Sequence, residues 1–255
     1  ITKKELIEKL GDAASESKIC EDSLVLNKLN LDSSLFTKGY YIIQDEASAL
    51  VASSIGLPLD KKYKILDTCA APGGKSLHIA SKYFNSSLIS CDKYIHKLKL
   101  IEDNKEKLGI TNIEVKEQDA TLNNSSFNDK FDIVVCDVPC SGIGVIKNKP
   151  EIKYKITDAY VEDIAKLQYD ILENSKKYVK QEGILMYSTC TIDKRENIEN
   201  IEKFLKENKD FSLECISLNN SIVKTRENGV LEILPDEYSC DGFFIAKLKK
   251  MEAKC

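Results

Sequence analysis

The spacing of apolar residues changes character near residue 63. Before it, Leu6, Ile7 and Leu10 share one helical face over residues 2–10, and Gly11 stops that helix. Leu24-Val25-Leu26 reads as a short strand. Ala47, Leu50, Val51 and Ile55 mark the inner face of a helix over 44–55, broken by Gly56-Leu57-Pro58. From Tyr63 onward, strands and helices alternate. Strands are predicted at 64–67, 88–92, 113–115, 131–137 and 183–188, and helices at 75–83, 95–108, 158–179 and 196–208. The run 131–137 is almost wholly apolar, which places it centrally in a sheet covered on both faces. Two late strands, 213–216 and 242–248, have no helix between them and are expected to pair antiparallel. Residues 123–129 read as a surface loop and 219–237 as a long, mobile loop. The expected architecture is α/β: a doubly wound, mainly parallel sheet over 61–255, preceded by a partial, small α+β segment over 1–60.

Composition adds bounds to this picture. The chain has 255 residues, 42% of them hydrophobic and 31% charged, with a net charge of −4. That suits a globular protein and argues against disorder. No apolar run approaches the ~20 residues of a membrane span. Nine cysteines occur with no CxxC pair and only two histidines, so no zinc site is expected. Cys91 and Cys136 fall in strands and should be buried and reduced, which suits a cytoplasmic protein. Position 1 is Ile, so the chain is expected to be a piece of a longer protein. A monomer is expected.

Three strand ends hold the candidate chemistry. In open α/β sheets, ligands bind beyond the carboxyl ends of the strands. Ala70-Ala71-Pro72-Gly73-Gly74-Lys75 follows the first strand, and its glycines let backbone approach a ligand at a helix N-terminus. It is neither a P-loop nor a clean GxGxxG. Asp92 ends the second strand, where an acid accepts ribose hydroxyls. Asp119, past the third, is placed to accept an adenine amino group. Cys140 and Cys190 each follow a buried strand, so two thiols should face the same cleft, where a thiolate can attack an electron-poor carbon. Lys147, Lys149, Lys153 and Lys155 cluster past Cys140 and are candidates for nucleic-acid backbone contact; Arg195 is another.

These segments together resemble the RNA cytosine-C5 methyltransferases of the Sun/Nop2 group. Leu66-Asp67-Thr68-Cys69-Ala70-Ala71-Pro72-Gly73-Gly74-Lys75 is similar to their first motif, Asp137-Val138-Pro139-Cys140-Ser141-Gly142 to the fourth and Ser188-Thr189-Cys190-Thr191 to the sixth. Val138 and Thr68 stand where Ala and Leu are more usual. The segments 44–48, 149–154 and 241–246 also match, and 149–154 and 241–246 look most like the bacterial branch that methylates small-subunit ribosomal RNA. The helical RNA-binding domain usual in that branch is not found in this sequence.

The resemblance implies a class I (Rossmann-like) fold with a seven-stranded sheet, S-adenosylmethionine as cofactor and RNA as partner, with no metal. It implies cofactor contacts from Cys69, Ala70, Ala71, Pro72, Gly73, Gly74, Lys75, Asp92, Asp119 and Asp137. It assigns Cys190 as the thiolate that attacks cytosine carbon 6, Asp137 as a hydrogen-bond partner of the base, and Cys140 as an aid to product release. Transfer RNA in place of ribosomal RNA stays open as the substrate, and two rivals stay open beside it. DNA cytosine-C5 methyltransferases use the Pro-Cys cysteine, here Cys140, but follow it with Glu-Asn-Val, which is absent. A cofactor-binding RNA scaffold without activity is the other.

Overall fold

The two-residue alternation within single strands decides how this sheet is covered. In the computed structural model, which describes residues 1–27, 34–218, 223 and 229–252, Ile65 and Leu66 of β3 (Lys64–Asp67) point into different cores. Ile133 and Val135 of β6 (Phe131–Asp137) join Ile65, while Val134 and Cys136 join Leu66. Ile184 and Met186 of β7 (Val179–Thr189) oppose Leu185 and Tyr187 in the same way. Successive side chains on a strand face opposite sides, so each of these strands buries both faces.

Helices α3 (Glu46–Ile55) and α4 (Gly74–Lys82) cover one side with Leu50, Val51, Leu77 and Ile79. Helices α6 (Asp158–Ser175) and α7 (Ile198–Glu207) cover the other with Ile171, Leu172, Ile201 and Phe204. Asp45 caps α3 by accepting from the Ala47 amide, as N-cap aspartates do. Between β4 (Ser87–Asp92) and β5 (Ile113–Glu117) runs α5 (Ile95–Leu108).

With β8 at Phe211–Leu213, β9 at Val230–Ile233 and β10 at Phe243–Lys250, the sheet path is β5-β4-β3-β6-β7-β10-β8, and β9 pairs off β10. The five strands from β3 to β7 run parallel, and β10 is antiparallel to β7, β8 and β9. From β3 the chain winds outward through β4 and β5, then returns to β6 beside β3 and winds the other way. The carboxyl ends of β3 and β6 therefore flank the switch point where such folds bind ligands. In the leading segment, α1 (Lys3–Leu10) carries a capping box between Thr2 and Glu5, and β1 (Ala14–Glu16) pairs antiparallel with β2 (Leu24–Leu26).

Most expected elements appear within a residue or two of their positions, and four differ. The helix expected to reach 179 ends at Ser175, and a 3-10 turn at Lys176–Tyr178 leads into β7. That strand starts at Val179 rather than at 183. Its first stretch is hidden by Lys180, Gln181, Glu182 and Gly183, a polar, turn-like run that forms an irregularity against β6, with Glu182 at φ 62. The strand expected at 213–216 lies instead at Phe211–Leu213. The loop expected over 219–237 contains β9 and a short helix, α8 (Pro235–Tyr238). Leu231 and Ile233 of β9 are buried, so the sheet gains an eighth strand beyond the seven expected. The rest of that segment, 219–222 and 224–228, lies outside the described residues. Among the described residues, no helix is long and apolar enough to cross a membrane.

Candidate active site

The loop after β3 is built by its backbone. Gly73 sits at φ 108, a region side chains rarely adopt, and a Cβ there would also press on Ile101 at 3.3 Å. A Cβ on Gly74 would meet only the Gln44 amide, at 3.8 Å, so space lies open above the start of α4. The loop is pinned from both sides. The Thr68 amide donates to the Val135 carbonyl at 2.9 Å and the Ala70 amide to the Cys91 carbonyl at 2.8 Å. The Ala71 amide reaches Asp92 Oδ2 at 3.3 Å, and the Tyr94 amide reaches Asp92 Oδ1 at 3.0 Å.

These residues suit a nucleoside cofactor that bears a carboxylate. The amides opening α4 can receive an anion, the two glycines leave room for it, and buried Asp92 offers an acceptor at the next strand end. Asp119 lies further along the same edge. Lys93 holds it at 2.8 Å, and Thr121 donates to it through both amide and hydroxyl, so its carboxyl is pulled down to about 2. Its first partner is thus internal.

Asp67, at the end of β3, is fully buried and was not singled out from sequence. Burial pushes its carboxyl up to about 7, against hydrogen bonds from Ser76 Oγ at 2.6 Å and the Cys69 amide at 3.3 Å. Beside it, Lys75 Nζ pairs with Asp137 Oδ2 at 2.7 Å and lies 5.2 Å from the Phe243 ring. Ser188 Oγ donates to Asp137 Oδ1 at 2.8 Å. Both Asp137 oxygens are therefore engaged, one by a cation and one by a hydroxyl.

The two thiols meet. Cys140 Sγ and Cys190 Sγ lie 3.2 Å apart, both half-buried and both unbridged. Their surroundings differ. The Cys190 thiol is lowered from the ordinary cysteine value, first by the hydrogen bond from Cys140 and then by Lys75 and Lys149, while burial and Asp137 act against this. Cys140 is pushed well above the ordinary value by the same hydrogen bond, by burial and by Glu196. Lys75 and Lys149 thus bear on the Cys190 sulfur, opposed there by Asp137, and Glu196 bears on the Cys140 sulfur. These surroundings favour the thiolate at Cys190 over Cys140.

The backbone around the thiols is tightly crossed. The Gly144 amide donates to the Cys190 carbonyl at 3.1 Å, and the Gly242 amide to the Gly144 carbonyl at 2.8 Å. A Cβ on Gly144 would lie 2.2 Å from the Gly242 oxygen and 2.8 Å from the Cys190 oxygen. Three loops distant in sequence close at this point. Glu196 and Asn197, which bond into it from the start of α7, are further residues that sequence reasoning missed. Their one visible signal was a Glu-Asn pair six residues past Cys190.

The surface candidates divide. Lys147, Lys149, Lys153 and Lys155 are exposed on one segment past Cys140, and Lys149 is near enough to Cys190 to act on its charge. Lys153 Nζ sits 4.9 Å from the ring of Tyr154, which is 81% exposed. Arg195 is engaged within the chain: its guanidinium pairs with Asp193 at 2.7 Å and Asp158 at 3.1 Å, through one N–H of each of its three nitrogens. Among the described residues, no group of three His, Cys, Asp or Glu could hold a metal ion.

A family model described as 16S rRNA methyltransferase RsmB/F matches residues 55–249. A relative from Bacillus subtilis, "Probable ribosomal RNA small subunit methyltransferase B", is 39% identical over 246 residues, covering 94% of this chain and 55% of the relative. The solved structure of PH0851 overlays with a TM-score of 0.88 at 31% identity, covering 98% of this chain and 57% of that one. The structure of NSun6 from Pyrococcus horikoshii with SFG gives 0.75 at 30% identity, covering 91% and 59%. The chain spans about half the length of the curated relatives it matches. With its doubly wound sheet, its glycine loop and its paired cysteines, the chain belongs to the RsmB/F family of 16S rRNA methyltransferases.

Proposed function

We propose that this chain is the methyl-transfer region of an enzyme that methylates carbon 5 of a cytosine in small-subunit ribosomal RNA, using S-adenosylmethionine. The observation that supports this most strongly is the thiol pair: Cys190 Sγ lies 3.2 Å from Cys140 Sγ, with the Cys190 thiol lowered and the Cys140 thiol raised from the ordinary value, beside the Lys75–Asp137 ion pair. The choice of ribosomal RNA follows the printed names of the relatives.

When bound, S-adenosylmethionine supplies an electrophilic methyl group. Its carboxylate would be received at the N-terminus of α4 above Gly73 and Gly74, with Cys69, Ala70, Ala71, Pro72 and Lys75 completing the loop. Asp92 would accept the ribose hydroxyls, and Asp119 would face the adenine. Cytosine carbon 5 is a poor nucleophile. Addition of the Cys190 thiolate to carbon 6 makes carbon 5 electron-rich and ready to accept the methyl group. Asp137, anchored by Ser188 and Lys75, would accept a hydrogen bond from the amino group on the base edge, and the Lys75 ammonium beside it would offset the negative charge that thiolate addition develops. The carbon-5 proton then passes to water, its bonding pair re-forms the double bond between carbons 5 and 6, and the carbon 6–sulfur bond breaks with its electrons on Cys190. The Cys140 thiol, whose sulfur lies 3.2 Å from that of Cys190 in the resting structure, would donate to the departing thiolate. The base reaches this pocket only by leaving its stack. Lys147, Lys149 and Lys153 would hold the flanking backbone, with the exposed Tyr154 offering a face for stacking.

Bisulfite sequencing of ribosomal RNA from cells lacking the gene tests this reading. Loss of one small-subunit methylcytosine, restored by the intact gene but not by a Cys190→Ala copy, is expected. An unchanged methylation pattern would contradict it. Binding of cofactor with no methylcytosine lost would favour the scaffold.

A further inference from the structure

A fully buried acid lies between the two cysteine loops. The Glu196 side chain accepts from the Ser141 amide at 2.8 Å, from the Ser141 hydroxyl, and from Thr191 Oγ1 at 3.2 Å. Ser141 directly follows Cys140, and Thr191 directly follows Cys190. Gln168 of α6 donates to the same carboxyl at 2.8 Å and to the Pro139 carbonyl at 2.9 Å, just before Cys140. The Ser141 and Thr191 hydroxyls also meet at 2.9 Å. Asn197 brackets the other loop: it accepts from Thr189 Oγ1 at 2.6 Å and donates to the Thr191 carbonyl at 2.9 Å.

We propose that Glu196 is a positioning residue for the thiol pair: by tying Ser141 to Thr191 it sets Cys140 Sγ against Cys190 Sγ and makes Cys140 the donor. Two features support this beyond the bonds themselves. A buried carboxyl is costly to retain unless it is fully bonded, and here the bonds run to both cysteine loops at once. Its charge also lies toward Cys140, whereas Lys75 and Lys149 lie toward Cys190 and Asp137 weighs against Cys190. Glu196 thus orders the pair by geometry and by sign. The significance for catalysis rests on the methyl-transfer reading above; the geometry and its test do not.

The test is rate-resolved alkylation with iodoacetamide, read at each cysteine by peptide mass across pH, with no RNA present. In the intact chain, Cys190 should react at least tenfold faster than Cys140 at pH 7, with a midpoint below that of an ordinary thiol. Glu196→Gln should cut that ratio at least threefold and move the Cys190 midpoint upward. Ile201→Ala, on the buried face of α7, should lower stability and leave the ratio intact. An unchanged ratio and midpoint in folded Glu196→Gln would overturn the proposal. If Glu196→Gln does not fold, Thr191→Val decides by the same criterion: a fallen ratio supports the proposal and an unchanged one overturns it. A ratio that depends on Glu196 in an enzyme that methylates no RNA would overturn the functional reading and leave this one standing.

Discussion

Replacing Asp67 by Asn should stabilise the cofactor-free chain at pH 8 relative to pH 5. Asp67 is fully buried at the end of β3, and burial lifts its carboxyl from an ordinary 3.8 to about 7. Between those values the folded chain keeps a proton that the unfolded chain releases. The folded pKa is the raised one, so the stabilising contribution is complete below 3.8 and is lost as pH climbs through 7. Each pH unit in that window costs about 1.4 kcal/mol, or on the order of 4 kcal/mol over the whole interval. Asn cannot titrate. Its altered bonds to Ser76 and the Cys69 amide impose a constant offset that cancels when the difference is followed with pH. From pH 5 to pH 8, Asp67→Asn should therefore gain about 3 kcal/mol on the parent, which includes only the part of the window above pH 5. Urea unfolding of both proteins at half-unit pH steps measures this directly. A difference that stays flat across that range would refute the reasoning and place the Asp67 carboxyl in an ionised, compensated state.

Three further changes probe the site and its surface. Gly144→Ala would drive a Cβ to within 2.2 Å of the Gly242 oxygen and 2.8 Å of the Cys190 oxygen; a loss of about 3 kcal/mol by urea unfolding is expected, the upper end for overpacking because backbone lines the site. Replacing Lys147, Lys149 and Lys153 together by Ala should weaken RNA binding and flatten its dependence on log salt by about 2, since each phosphate contact to single-stranded RNA adds roughly 0.7. Arg195→Ala should leave that slope unchanged, because its guanidinium is paired with Asp193 and Asp158.

Much of this architecture was legible before any coordinates. The strands at 64–67 and 131–137 are short apolar runs bounded by polar residues, and such runs in a βα alternation leave little choice of fold. The strands that went unseen lack that contrast. Ala14–Glu16 has no β-branched residue, and Val230–Ile233 is four residues set in a polar stretch whose burial depends on pairing with β10. The site shows the same division. The glycine turn and both cysteines announce themselves locally, as strand-end motifs. The motifs also separate the roles of the two thiols, but the electrostatic difference between them is not local, because Lys75, Lys149 and Glu196 reach them from separate elements. Glu196 bonds to Ser141 across 55 positions and Arg195 to Asp158 across 37. A charged residue near a helix start reads as solvated in sequence; only tertiary closure buried the first and paired the second.

The central claim is that Cys190 attacks and Cys140 releases. Incubating the Cys140→Ala and Cys190→Ala forms of the full-length protein with small-subunit ribosomal RNA and S-adenosylmethionine, then running a denaturing gel, tests it most directly. A covalent protein–RNA band should accumulate in Cys140→Ala and be absent in Cys190→Ala. The reverse pattern, with the band surviving loss of Cys190, would contradict it.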